Sequence, residues 1–157
     1  MLSPERLRKY SFFGFFDPEE LNAIAMFAEE TAYPRHEYIF HINEPANALY
    51  LLEKGCVELY YESFDPIFKP ELRRKFLVGE INPGEIFGIS ALIEPYTMTA
   101  SAFAAHPSQI IQINAQKLHA LPEQFPGLTC MLYQRALQTL KERLHYTRVQ
   151  LAAARAD

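Results

Sequence analysis

The residues from Pro83 to Ala102 read PGEIFGISALIEPYTMTASA. They have the outline of a loop that cradles a phosphate: glycines, a short apolar turn, then small hydroxyl and methyl side chains. The chemistry of such a loop is anion binding, with backbone N–H groups at a helix start pointing at the charge. Yet the stretch holds no Arg or Lys, and its acids are Glu85 and Glu94. Other chemistries find less support. His36 and His41 are five residues apart, so they point to opposite faces of an ideal strand. His106, His119 and His145 are scattered, and convergent metal ligands are not indicated. Cys56 and Cys130 form no CxxC pattern, so neither a zinc site nor a redox dithiol is expected. Cys56, on a strand, reads as a small buried hydrophobe. No nucleophile and base stand at a spacing that predicts catalysis. The expectation is no catalytic residue, no metal and no cofactor.

The elements around this loop follow from pattern. Asp17-Pro18-Glu19-Glu20 carries a capping-box signature, and Leu21, Ile24, Ala25 and Ala28 then fall on one helical face. Before it, FFGFF (Phe12–Phe16) reads as a core plug. From Thr31 to Ile113 short strands alternate with turns. Tyr38–Phe40, Leu49–Leu52, Val57–Tyr61, Phe76–Val78 and Ile110–Ile113 are the clearest runs. Asn43-Glu44-Pro45, Lys54-Gly55, Pro83-Gly84 and His106-Pro107-Ser108 are the turn signals. Ser63–Lys75 reads as a long hairpin loop, and its basic run Arg73-Arg74-Lys75 as a solvated one. Asn114 should cap a short helix ending before Pro122, and a long helix starts near Pro126 or Gly127. In that helix Cys130, Tyr133, Leu137, Leu140, Leu144, Thr147 and Leu151 recur at steps of three and four. That is the stripe of a helix dimer. A second stripe, Leu128, Met131, Leu132 and Ala136, is free to face the chain's own core.

A chain of 157 residues with 49% apolar and 22% charged residues fits one globular domain. Its parts are N-terminal helices over 1–30, a small β-barrel or sandwich over 31–113, and C-terminal helices over 114–157. The net charge of −4 argues against nucleic acid as the main partner. Met1–Tyr10 is polar and charged, unlike a signal peptide, and no apolar run approaches a membrane span. A cytoplasmic setting is expected.

Helices, a compact barrel and a long amphipathic helix, in that order, resemble cyclic-nucleotide-binding domains, the effector domains of catabolite activator and FNR-like regulators. The resemblance is also local. SFFGFFDPEELNAIA resembles the family's opening. YIFHINEPANALYLLEKGCVELY resembles its strand–turn–strand signature, with Phe40, Leu49, Tyr50, Gly55 and Val57 in register. Asn43-Glu44 stands where the family places a Gly-Asp turn, and Asn tolerates the positive φ that turn needs. PGEIFGISALI and TMTASAFA resemble the two halves of the phosphate-binding cassette, and PSQIIQINAQKLHAL the last strand and following helix. The fold implied is mainly β: a double-stranded β-helix, or jelly roll of cupin-like type, with a long C-terminal helix.

In this family a Glu directly after Phe-Gly accepts a hydrogen bond from the ribose, and an Arg two residues before a small Ala pairs with the phosphate. Here Ile89 follows Phe87-Gly88, and Met98 precedes Thr99-Ala100. Gly84, Gly88, Ser90, Ala91, Thr99 and Ala100 match the cassette's backbone scaffold; Ile89 and Met98 replace its two charges. Each charged hydrogen bond contributes about 1.5–3 kcal/mol, so losing two removes about two to four decades of affinity. Arg35 and the run Arg73-Arg74-Lys75 are the cations that could substitute, although they lie outside the cassette. The apolar pair leaves two outcomes open: a pocket collapsed into core, or one taking an apolar or neutral ligand.

Together these readings imply a non-catalytic regulatory or interaction module that does not hold cyclic AMP or cyclic GMP in the usual way. It should form a homodimer through Tyr133, Leu137, Leu140, Leu144, Thr147 and Leu151. The alternatives are a sensor for an altered or uncharged ligand and a metal-dependent enzyme of the cupin type. Relatives often continue into a DNA-reading domain after the long helix; this sequence stops at Asp157, so DNA binding by that route is not expected.

Overall fold

The structure is a computed structural model that describes residues 2–63 and 74–156. Its elements are α1 (Pro4–Arg8), α2 (Pro18–Ala25), β1 (Ala28–Tyr33), β2 (Tyr38–Phe40), β3 (Ala48–Lys54), β4 (Val57–Ser63), β5 (Arg74–Ile81) and β6 (Ile86–Phe87). A 3-10 turn (Ile89–Leu92), β7 (Ser101–Ala104), β8 (Ser108–Asn114), α3 (Ala115–Ala120), a second 3-10 turn (Leu121–Glu123) and α4 (Leu128–Arg155) follow. The expected hairpin loop after Ser63, including Arg73, lies outside the described residues.

The strands make two antiparallel four-stranded sheets, ordered β1-β8-β3-β6 and β2-β7-β4-β5. β1 pairs with β8, β2 with β7, β3 with β6 and β4 with β5. The chain therefore folds back on itself as one long ribbon with β4 and β5 at its tip. This nesting is the jelly roll implied by the sequence. Among the described residues the two sheets stay separate rather than closing into one hydrogen-bonded barrel. β3 is buried from Ala48 to Leu52 without alternation, because it is covered on both faces. Leu49, Leu51, Val57, Ile81, Ile110, Ile111 and Ile113 share one hydrophobic cluster with Leu7, Phe13, Leu21 and Ile24 of the N-terminal segment.

The capping box of α2 is present: the Glu20 carboxylate accepts the Asp17 N–H at 3.0 Å. Leu21, Ile24 and Ala25 are buried as their spacing predicts, but the helix ends there, and Ala28 opens β1 instead. Of the four phenylalanines in FFGFF, Phe12, Phe13 and Phe16 are core, whereas Phe15 is 64% exposed under the Arg135 guanidinium. The N-terminal helices are also tied electrostatically. Arg6 bonds Glu30 on β1 at 2.8 Å and Glu53 on β3, and Glu53 accepts the Tyr10 hydroxyl at 2.9 Å.

Two turns depend on unusual backbone. Asn43 adopts φ 71°, as its place in the Gly-Asp position requires. Gly55 adopts φ 106°, and a Cβ there would sit 2.6 Å from the Pro107 carbonyl. Asn114 caps α3 by accepting the Lys117 N–H at 2.9 Å. In α4 the stripe Leu128, Leu132 and Ala136 is buried, and Met131 packs beside it.

Some surface readings need correction. Arg74 and Lys75 belong to β5, not to a solvated loop. The Lys75 ammonium lies 4.0 Å from the Tyr60 ring centroid and 4.8 Å from those of Tyr38 and Phe103, a cation–π cluster on the sheet surface. Cys56 is half-buried rather than core, and its thiol donates to Glu80 at 3.1 Å. Burial, then Glu80, pushes that thiol up to about 11. Among the described residues no group of three or more His, Cys, Asp or Glu could hold a metal, and no helix is long and apolar enough to cross a membrane.

Candidate effector pocket

The cassette is assembled by three backbone devices. β6 delivers the chain into Gly88, whose φ of 74° turns it into the 3-10 turn Ile89–Leu92. Only glycine fits there, since a Cβ would lie 2.8 Å from the Tyr50 ring. The Tyr50 ring stacks on Phe87 at 5.1 Å, and Phe40 lies 5.3 Å from Tyr50, which makes an aromatic cluster beside Gly88. Burial pushes the Tyr50 hydroxyl up to about 12. The second half of the cassette is clamped to the Asn43-Glu44 turn. The Asn43 N–H donates to the Met98 carbonyl and the Met98 N–H to the Glu44 carbonyl, both at 2.8 Å. The Ala46 N–H donates to the Tyr96 carbonyl at 2.7 Å, and the buried Ser101 hydroxyl accepts the Ile42 N–H at 2.8 Å. From outside, His119 on α3 donates from Nε2 to the Ala91 carbonyl at 2.7 Å and packs on Tyr96.

These devices enclose a pocket of about 380 Å³ between the cassette and α4. Of the candidate cassette residues, Gly88, Ile89, Ser90, Met98, Thr99 and Ala100 line it. Gly84 and Ala91 do not; Gly84 shapes the turn before β6, and Ala91 is fully buried within the 3-10 turn. Ile89 and Met98 are only 6% and 2% exposed. They fill the floor of the site without filling its mouth. Phe40 and Leu59 add apolar wall, and Leu140 reaches in from α4. Glu94 stands exposed at the rim.

One functional candidate escaped the sequence reading. Arg143 on α4 lines the pocket, whereas Arg35 and Lys75 do not. It is half-buried and donates to the Ile86 carbonyl, two residues before Gly88. Burial lowers its affinity for a proton, opposed by the charges of Glu85 and Glu142. Among the described residues it forms no ion pair. A signal existed: Arg143 lies seven residues after Ala136, so it continues the core-facing side of the helix.

Comparison with known proteins places this geometry. Residues 30–125 match the family described as "Cyclic nucleotide-binding domain". The chain belongs to that family, whose fold is that of a regulatory domain. A crystallised "putative cyclic nucleotide-binding protein" from Geobacter metallireducens is 38% identical, with a TM-score of 0.80, over 92% of this chain and 100% of that one. A cyclic nucleotide-binding domain from Methylobacillus flagellatus shares the fold at 22% identity, with a TM-score of 0.76, over 98% of this chain and 82% of that one. The curated "Cyclic AMP receptor protein" of Thermus thermophilus is 28% identical over 109 residues, 69% of this chain and 47% of that protein. The chain thus spans about half the length of that relative.

Proposed function

We propose that this domain is a non-catalytic regulatory module that acts as a homodimer through α4 and does not hold cyclic AMP or cyclic GMP in the family's usual mode. The observation that carries the reading is the pair Ile89 and Met98. Both stand where the family's Glu and Arg bind ribose and phosphate, and both are buried against apolar neighbours. A cyclic phosphate placed beside Ile89 and Met98 would lose water without gaining a counter-charge from the cassette, and among the described residues the one cation of the pocket wall is Arg143 on α4, outside the family's phosphate position. Calorimetric titration with cyclic AMP and cyclic GMP tests this. No saturable binding is expected below the high micromolar range; low-micromolar binding overturns the reading.

A second reading is favoured by the open volume above that floor. A domain that had kept only its scaffold role would gain from filling about 380 Å³ with side chains. A site with this much room suits a sensor of a ligand other than a nucleotide held by the usual contacts.

A further inference from the structure

We infer that the pocket between the cassette and α4 binds an apolar carboxylic acid, with Arg143 holding the carboxylate and Phe40, Leu59, Ile89 and Met98 holding the apolar body. The inference rests on the second reading above, that the pocket is a ligand site, and supplies the chemistry of the ligand.

The Arg143 charge is the starting observation. A half-buried guanidinium has lost part of its water and needs an anion in return. The two carboxylates whose charge reaches Arg143 act on it at a distance and form no ion pair with it. Glu85 accepts the Asn82 N–H at 3.0 Å within its own turn, and Glu142 accepts the Gln138 amide at 3.4 Å along α4. The guanidinium carries five N–H donors. Among the described residues its hydrogen-bond partner is the Ile86 carbonyl, so most of the donors of the fork have no protein partner, and the residue itself lines the pocket.

The rest of the wall decides which anion. A planar carboxylate matches the guanidinium fork in a bidentate pair, and one arginine neutralises one charge. Ile89 and Met98 make the floor apolar, with Phe40 and Leu59 beside them, while Ser90, Thr97 and Thr99 supply the hydroxyls of the wall, so a sugar ring laid on the floor would leave hydroxyls unpaired against Ile89 and Met98. Glu94 at the rim and Glu85 near Arg143 disfavour a second negative charge. An apolar chain or ring ending in one carboxylate satisfies all three conditions.

The test uses the full chain and three probes: sodium octanoate, octan-1-ol as its uncharged counterpart, and cyclic AMP. Binding is followed by NMR at the Met98 methyl group, on the wild type and on R143M and R143K. Octanoate should saturate, shift Met98, and bind roughly tenfold or more tighter than octanol, the margin of one charged hydrogen-bond pair. R143M should erase that margin, bringing octanoate to the level of octanol, and R143K should keep part of it. If octanoate and octanol bind the wild type alike, Arg143 does not read a carboxylate; the inference fails while the pocket remains a ligand site. If neither shifts Met98, both the inference and the ligand-site reading fall. Displacement of octanoate by low-micromolar cyclic AMP overturns the carboxylic-acid class. Melting curves of the variants accompany the titration; should R143M not fold, R143K carries the comparison, since a reduced margin there also marks the fork.

Discussion

Ile89 and Met98 occupy the floor positions where, in the proposed reading, a carboxylate and a guanidinium would meet ribose and phosphate. The backbone around them is intact: Gly88 makes its left-handed turn, and Asn43 and Glu44 clamp Met98 by two hydrogen bonds. Restoring the charges should therefore restore affinity without rebuilding the loop. The double variant I89E/M98R is expected to bind cyclic AMP roughly two to four decades more tightly than the wild type, by calorimetry. Each new charge is buried, so the unliganded variant should melt lower than the wild type and regain stability as cyclic AMP is added. If the double variant binds no better, the shape of the pocket rather than its charge excludes the nucleotide. The single variants should both be poor, because one buried charge without its counterpart is a cost with no return.

The N-terminal helices are held to the first sheet by a polar knot as well as by apolar packing. The Glu53 side chain, 5% exposed, receives Arg6 and the Tyr10 hydroxyl, while Arg6 also reaches Glu30. The E53A variant leaves these donors without their buried acceptor and should cost about 1–3 kcal/mol, or roughly 2–4 °C of melting temperature per kcal/mol. The same knot has a pH signature. Burial, then the hydrogen bond to Glu53, pushes Tyr10 up to about 12. A tyrosine whose folded value is raised keeps its proton in the fold after the unfolded chain has lost it. Stability is therefore full below the ordinary tyrosine value near 10 and falls as the pH climbs towards 12. Melting curves from pH 7 to 12 should show a shallower alkaline decline in E53A, since Glu53 no longer raises Tyr10; an unchanged slope would mean that burial alone sets it. This knot shows where sequence reading stops, because its four residues come from α1 and the turn after it, from β1 and from β3, and no local pattern joins them. Elements marked by local rules were legible: α2 by its capping box, β2, β3, β4 and β8 by apolar runs, α3 by Asn114, and the Asn43 turn by its φ tolerance. β1 was not, because Ala28–Tyr33 is an edge strand with both Glu29 and Glu30 exposed, and its polar sequence hides the period. β6 and β7 are two and four residues long, too short for a period to show. At the site, the cassette was legible because its residues lie close together in the chain. Arg143 was harder to read: it reaches the cassette from α4, far from it in sequence, and its one local signal, a place seven residues after Ala136, marks the core-facing side of the helix but not the pocket.

At the scale of the whole molecule, the two sides of α4 make different demands. One side, through Leu128, Leu132 and Ala136, is buried on the chain's own core. The other presents Tyr133, Leu137, Leu140, Leu144 and Leu151 at 40% to 66% exposure, with Thr147 also exposed among them. Single exposed leucines are ordinary, but a continuous stripe at steps of three and four along one helix is the pattern of a helix-pair seam. In the proposed dimer the stripe meets a second copy of the chain, whose identical stripe is self-complementary about a two-fold axis. Leu140 lies both in the stripe and in the pocket wall, and Arg143 follows it by less than one turn. A ligand that draws Arg143 inward would therefore act on the helix that carries the seam. The wild type is expected to sediment as a dimer at tens of micromolar. The double variant L137E/L144E places two carboxylates of each helix in the seam, where they repel and lose water on association. It should sediment as a monomer at the same concentration, with a melting temperature that no longer depends on protein concentration. Because both positions face away from the core, circular dichroism of the variant should keep the wild-type shape. A wild type that is already monomeric, or a variant that stays dimeric, would show that α4 is not the seam.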